Sequence, residues 1–243
     1  MEEEATEIID NAKGIVFADM ASRNIDRIMA FYNAAKANKR KLLLDVKSAH
    51  LMNALRESKM VDLPNVMKDK NIAIYFRAMK KCTYDEMEYN PWERSYMQNM
   101  VTSDWVRKNQ KNVVMAFNML RLFELVDIKP KPGSDYIYSM SEHFLEGGDN
   151  IEALTVRKNW MEHFKFKMPS KNYAEIEHED GTKEPVPIHK LHASGHMPKA
   201  DIMNMIKTIN PDILIPIHTQ NPKTFCQFHK KVVLPEIGKT IKL

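Results

Sequence analysis

The sequence predicts an α/β fold: a mostly parallel sheet covered by helices on both faces. Two observations carry that prediction. Short runs rich in β-branched and aromatic residues are apolar at successive positions, as strands buried on both faces require. Between them lie stretches whose apolar residues recur at helical spacing, and strand alternating with helix is the signature of layered, parallel sheets. A third observation sets the scale. With 243 residues, 44% of them hydrophobic, the chain can bury roughly 70% of the surface its unfolded form exposes.

The elements follow in order. Residues 2–13 read as a helix with Glu2, Glu3 and Glu4 in its first turn, Lys13 in its last and Gly14 as its C-cap. Gly14–Asp19 is the first strand. Ser22-Arg23-Asn24 forms a turn and cap, and Ile25, Ile28, Met29, Tyr32 and Ala35 line one face of the next helix. Strands are expected at 41–46, 72–76, 113–117 and 136–139, and helices at 48–57, 118–126 and 148–164. Residues 169–187 break the rhythm with three prolines and a glycine in an acidic, polar stretch. They read as a linker between a first domain at 13–168 and a C-terminal segment at 188–243. In that segment we expect a strand at 188–191, a helix from Pro198 to Ile209 and a strand at 213–217. A helix starting near Pro222 and a last strand near Thr240-Ile241 complete it.

Composition excludes several classes. Net charge is +4, too mild to mark a nucleic-acid module without a local cluster. Cys82 and Cys226 cannot form a disulfide framework and read as small core thiols in a reducing compartment. The acidic start has no apolar run behind it, as a signal peptide would need, and no run has the length to span a bilayer. A cytoplasmic protein is expected.

Chemistry concentrates near the C-terminus. Leu191-His192-Ala193-Ser194-Gly195-His196-Met197-Pro198 puts two imidazoles and a hydroxyl on one turn, and Ile215-Pro216-Ile217-His218 ends an apolar run with a third imidazole. Gly195 permits backbone conformations closed to other residues, and Pro198 suits the first position of a helix. Ser194 and His196 should then face the free N–H groups of a helix start, a ready anion site. A histidine there can protonate a leaving alkoxide. His192 and His196 have the spacing of a helical metal pair, but Gly195 and Pro198 argue against a helix through them. His218 lies beyond the carboxyl end of a strand, where sites form in open α/β sheets. It reads either as a metal ligand or as a hydrogen-bonded structural residue. The remaining histidines show no mutual spacing pattern.

The segment HASGHMPKADIMNMIKTINPDILIPIHTQNPKTF resembles the C-terminal part of β-CASP metallo-β-lactamase-fold nucleases of the ribonuclease J type. FADMASRNIDRIMAFYNAAKANKRKLLLDV resembles the opening of the β-CASP domain, and GSDYIYSMSEHF its late strand and loop. The resemblance covers most of the chain and is weakest over 58–110. It implies a β-CASP domain followed by the C-terminal part of a metallo-β-lactamase αββα fold, and zinc-dependent RNA phosphodiester hydrolysis. His196 would be the general acid, His192 and Ser194 would hold the scissile phosphate, and His218 would complete a zinc site. Ser22, Asn24, Arg27, Ser139 and Ser141 match loops that face RNA, although capping and surface roles account for them equally well.

The family draws most zinc ligands from an HxHxDH cluster, which occurs nowhere in this sequence. A catalytic zinc usually has three protein ligands, and His218 is one. The expectation is therefore part of a nuclease, truncated or split, inactive alone and completed by an N-terminal metallo-β-lactamase half. RNA is its expected substrate, and self-association is expected at an exposed sheet edge in 188–243. A non-catalytic RNA-binding or assembly subunit is the alternative from another class. A small-substrate metallo-hydrolase on the same fold is a third.

Overall fold

The computed structural model describes residues 2–80, 82–140, 148–168, 172–177, 181–188, 197, 199–219 and 221–241. The chain divides into two compact units, Met1–Ala193 and Ser194–Leu243.

The first unit is built on six parallel strands: β1 (Val16–Asp19), β2 (Lys41–Asp45), β3 (Ile72–Tyr75), β4 (Met100–Val101), β5 (Val113–Phe117) and β6 (Asp135–Tyr138). Their order across the sheet is β4-β3-β2-β5-β1-β6. Helices α1 (Glu2–Asn11), α2 (Ile25–Ala37) and α3 (Val46–Glu57) cover one face. Helices α5 (Ser103–Lys108), α6 (Glu124–Ile128) and α7 (Gly148–His163) cover the other, and the one-turn α4 (Pro91–Arg94) lies in the connection from β3 to β4. The α/β architecture read from the sequence is thus the observed one.

Alternation along each strand explains the continuous apolar runs. Val16, Ala18, Leu42, Leu44, Val114 and Ala116 pack with Ile28 and Phe31 of α2 and Met52 of α3. Their neighbours Phe17, Leu43, Met115 and Tyr136 face the opposite way, onto Val106, Leu125, Ile128 and Met161 of α5, α6 and α7. Successive side chains point to opposite faces of a strand, so two apolar layers demand apolar residues at every position. Polar caps set the helix starts. Asn24 accepts from the Arg27 N–H at 3.0 Å and Asp45 from the Ser48 N–H at 2.7 Å.

Several local expectations are corrected. The first helix stops at Asn11, so Gly14 is not its cap. A Cβ at Gly14 would lie 2.6 Å from Ser134 Oγ and 3.2 Å from Ser134 Cα, so the glycine is there to let β1 and the approach to β6 come close. Gly14→Ala should therefore cost about 1–3 kcal/mol, the usual penalty of overpacking, read as a lower urea midpoint at unchanged slope. The expected helix at 118–126 is a 3-10 turn (Met119–Arg121) followed by α6. Cys82 and Cys226 are exposed free thiols, not core residues.

Within the stretch read as a linker, β7 (Asn172–Glu177) and β8 (Lys183–Ile188) pair as an antiparallel hairpin. Pro185 and Pro187 read as breakers, but each strand of a two-stranded ribbon has an open edge where a missing N–H costs no ladder bond. Gly181 supplies a left-handed φ of 78° beside the turn.

In the second unit, α8 (Lys199–Ile209) lies in the expected place, and a 3-10 helix at Pro222–Gln227 stands where a helix was expected to start. The expected strand at 213–217 is reduced to one parallel bridge, Leu214 with Val232, and no strand forms at 240–241. Pro216 removes a donor inside that run, and among the described residues the bridge at Val232 is its only ladder contact. Residues 189–191, expected to continue a strand, lie outside the described residues. No described helix is long and apolar enough to cross a membrane.

Candidate functional site

The sheet order creates a change of face between neighbouring strands. From β2 the chain passes into α3 on one face, whereas from β5 it passes into α6 on the other. Connections that leave in opposite directions open a crevice at the carboxyl ends of the strands, the usual place for a ligand in open parallel sheets. A cavity of about 760 Å³ occupies that position. Ser22 and Arg23 beyond β1, Asp45 at the end of β2 and Lys47 in α3 line one part. Tyr75 to Arg77 at the end of β3, Tyr89, Asn90 and Glu93 line another, and Asn118, Leu120, Arg121 and Glu124 beyond β5 complete it.

Arg121 organises the β5 side of this cavity. Its Nε and Nη2 donate to Glu124 at 3.0 and 2.7 Å, and its Nη1 donates to Asp45 Oδ2 at 3.2 Å. The guanidinium lies over the rings of Tyr75 and Phe117, 5.6 and 5.7 Å from their centroids. Burial pulls the Arg121 pKa down, but the hydrogen bonds and charge of Glu124, with Asp45, outweigh it and leave the group above its ordinary value. Burial, with the nearby Glu124, lifts the Tyr75 phenol well above its usual range. Burial pushes Tyr89 up to about 12, and its hydroxyl donates to the Arg77 carbonyl at 2.7 Å. Both phenols stay neutral donors at physiological pH.

A second polar cluster lies at the end of β1. Asp19 is 2% exposed and accepts from Tyr136 Oη at 2.5 Å. Burial raises its pKa to about 6, against the lowering influence of the Tyr136 hydrogen bond and the Arg157 charge. Arg157 comes from α7 and sits 4.0 Å from the centroid of the Tyr138 ring. The cluster ties α7 to β1 and β6.

The residues singled out in the sequence fare unevenly. His192, Ser194, His196 and Ser141 lie outside the described residues. His218 is exposed, with a left-handed φ of 53°, after the buried Pro216. Among the described residues no group of three or more histidine, cysteine or acidic side chains is placed to hold a metal ion. The described donors therefore do not by themselves fit a catalytic zinc, which usually takes three. Asn24 is a helix cap. Arg27 is buried and donates to the Ser139 carbonyl, so a contact between Arg27 and RNA is not what its environment supports. Sequence reasoning missed Lys47, Arg77, Arg121 and Glu124, each of which follows the end of an apolar run by a few residues.

The two units differ in charge and in cover. Seven lysines and three carboxylates lie in Ser194–Leu243, so the whole excess of +4 sits in the second unit. That unit also exposes Met197, Met205, Ile209, Ile217 and Ile237, and buries Ile206.

Residues 186–224 match the Zn-dependent metallo-hydrolase RNA specificity domain. The RNA specificity match spans His192, Ser194, His196 and His218, and marks this stretch as a metallo-hydrolase region associated with RNA. It supports, coarsely, the metallo-β-lactamase and β-CASP relationship read from the motifs. Comparison with curated proteins gives no match.

Proposed function

We propose that this chain is part of a zinc-dependent RNA phosphodiester hydrolase of the β-CASP metallo-β-lactamase group, ribonuclease J-like in its motifs. The observation that carries the reading is the RNA specificity match at 186–224, which contains all four chemistry-bearing residues of the C-terminal corner. In this reading the first unit is the β-CASP-type domain, and His192 and Ser194 hold the scissile phosphate. His196 gives its proton to the leaving oxygen, the role a histidine near neutrality performs best. His218 contributes one zinc ligand. Zinc would supply an activated water and a clamp on the phosphoryl oxygens. The remaining donors would come from a metallo-β-lactamase half bearing the HxHxDH cluster, and the chain alone would be inactive.

Two further observations support a partner. Isoleucines and methionines stand exposed across the second unit, as expected of a segment that packs against other strands. Self-association through the same surface is the alternative when that half is absent. The concentration of lysine there suits phosphate contacts, whose strength falls steeply with salt.

The test is reconstitution. The chain, mixed with a separately produced metallo-β-lactamase half bearing HxHxDH, should yield a complex that retains zinc through gel filtration and cleaves end-labelled RNA, with neither part active alone. His196→Ala should lower cleavage by about 10²–10⁴-fold and leave zinc in place, whereas His218→Ala should lose zinc. A mixture that binds no zinc refutes the split-enzyme reading. RNA binding that persists without any zinc uptake would instead favour a non-catalytic RNA-binding subunit.

A further inference from the structure

The parallel strands of the first unit begin side by side, so the connections that enter them share one side, at the opposite end of the sheet from the crevice. Register fixes this: Lys41 pairs with Val113, Leu42 with Ile72, and Val16 with both Val114 and Asp135. Lys167 extends the row by a parallel bridge to Asp135. Residues 12–15, 38–41, 58–71, 109–112, 129–135 and 164–168 lie along it. They hold twelve basic residues against Asp62, Asp69 and Asp135, a net +9. Asp69 already accepts from the Tyr32 hydroxyl at 2.6 Å, and Asp135 is buried. The first unit as a whole has no net charge, so its charges are segregated rather than mixed. The last turns of α1, α2, α3, α5, α6 and α7, which end on this side, carry four basic and four acidic residues and add nothing. The surplus therefore belongs to the connections.

Four of these lysines stand where glycine is the unstrained residue. Lys39 follows α2, Lys59 follows α3, Lys129 caps α6 and Lys165 lies just beyond α7, with left-handed φ of 56°, 58°, 50° and 52°. Helices commonly end on a residue in this conformation, and it is usually glycine because a Cβ there is strained. A lysine gains from the dipole of the helix end, but at an exposed position that gain is smaller than the strain. All four side chains are exposed and make no ion pair among the described residues. The same choice at four helix ends keeps positive charge on one side at a cost to the fold, as a binding surface does.

We propose that this lysine side of the first unit grips the phosphate backbone of helical RNA. Neighbouring strands lie about 4.8 Å apart, so the row from β3 to Lys167 runs about 24 Å, enough to meet several successive phosphates. The exposed large apolar residues on this side, Met60 and Val61, are not aromatic. Lysines without exposed aromatic rings suit regularly spaced phosphates rather than unstacked bases. The choice of RNA as the polyanion rests on the RNA reading above; the surface itself does not, and it needs neither zinc nor the crevice.

Fluorescence anisotropy of the full chain with a labelled blunt RNA duplex tests it. The duplex should bind at low salt, and one of unrelated sequence should bind within about threefold. The quadruple variant Lys39→Gly/Lys59→Gly/Lys129→Gly/Lys165→Gly relaxes the four strained positions while it removes their charge. It should melt as the parent does, bind the duplex at least about tenfold more weakly and lower the salt slope by about 3. Lys13→Gln/Lys68→Gln/Lys70→Gln/Lys111→Gln, which touches no strained position, should give a loss of the same order and stands in if the first variant fails to fold. Arg23→Gln/Lys47→Gln/Arg77→Gln/Lys80→Gln removes as much charge from the crevice side and should lose less. An equal or greater loss in that variant places the duplex at the crevice and overturns the proposal. So does a lysine-to-glycine variant that folds and binds like the parent, or phosphatidylserine vesicles that bind the chain where the duplex does not. Each of these outcomes leaves the zinc reading untouched, just as failed reconstitution leaves duplex binding to be measured on the chain alone.

Discussion

Replacing Arg121 with methionine should destabilise the first unit by about 3–5 kcal/mol, the cost of breaking a buried ion pair by removing one partner. Glu124 is 2% exposed, and its carboxylate spends both oxygens on the guanidinium. Asp45 shares that guanidinium while it caps α3. Methionine fills similar space, so lost charge rather than lost volume dominates the change. Denaturant unfolding at neutral pH measures it. The double variant Arg121→Met/Glu124→Gln should recover much of the loss, because an uncharged amide at the same place carries a far smaller desolvation cost. A single variant within about 0.5 kcal/mol of the parent, the range of ordinary surface substitutions, would show that the network contributes little.

Asp19 should make the fold weaken as pH rises from about 4 to above 6. The ordinary carboxylate value is 3.8, and burial lifts Asp19 to about 6 in the folded chain. Below the lower value the group is protonated in both states. Between the two values only the unfolded chain ionises, so each step up in pH favours unfolding. Above about 6 the cost is complete, on the order of 3 kcal/mol by linkage. Asp19→Asn keeps an acceptor for the Tyr136 hydroxyl and removes this titration, so its stability profile should run flatter than the parent's across that window. Asp135, also lifted by burial to about 6 against the lowering effects of Lys167 and Arg40, should leave a residual slope of the same sign. Equal slopes in the parent and Asp19→Asn would dismiss the assignment.

The strands of the first unit were legible because burial on both faces writes itself as an unbroken apolar run. What escaped was whatever depends on partners remote in the chain. Two residues suffice for β4 because it adds to an existing edge, and so short a pair has no pattern of its own. The hairpin of β7 and β8 was hidden by prolines that a two-stranded ribbon tolerates. Conversely, the apolar run at 213–217 reads as a strand, but a strand exists only where its hydrogen bonds are met. The cavity was half legible. The rule that drew attention to His218, a polar residue just past a strand, applies equally to Asp45, Arg77 and Arg121. Their convergence was not legible, because Arg121 and Asp45 are 76 residues apart and meet only when β5 lies beside β2. The C-terminal corner was legible as a motif, and its side chains from His192 to His196 lie outside the described residues.

That placement of β5 has a consequence for how the molecule comes into being. β1 and β2 are consecutive in the chain and share a helix layer, yet they never touch as strands; each pairs with β5 instead. Until Val113–Phe117 has been made, the sheet consists of two unjoined pieces, β1 alone and β2 with its outer neighbours. The centre of the domain is supplied after both of its flanks. Closure therefore waits on a contact of long sequence separation, which slows folding. A ribosome making this chain must release nearly half of it before the first unit can acquire a core.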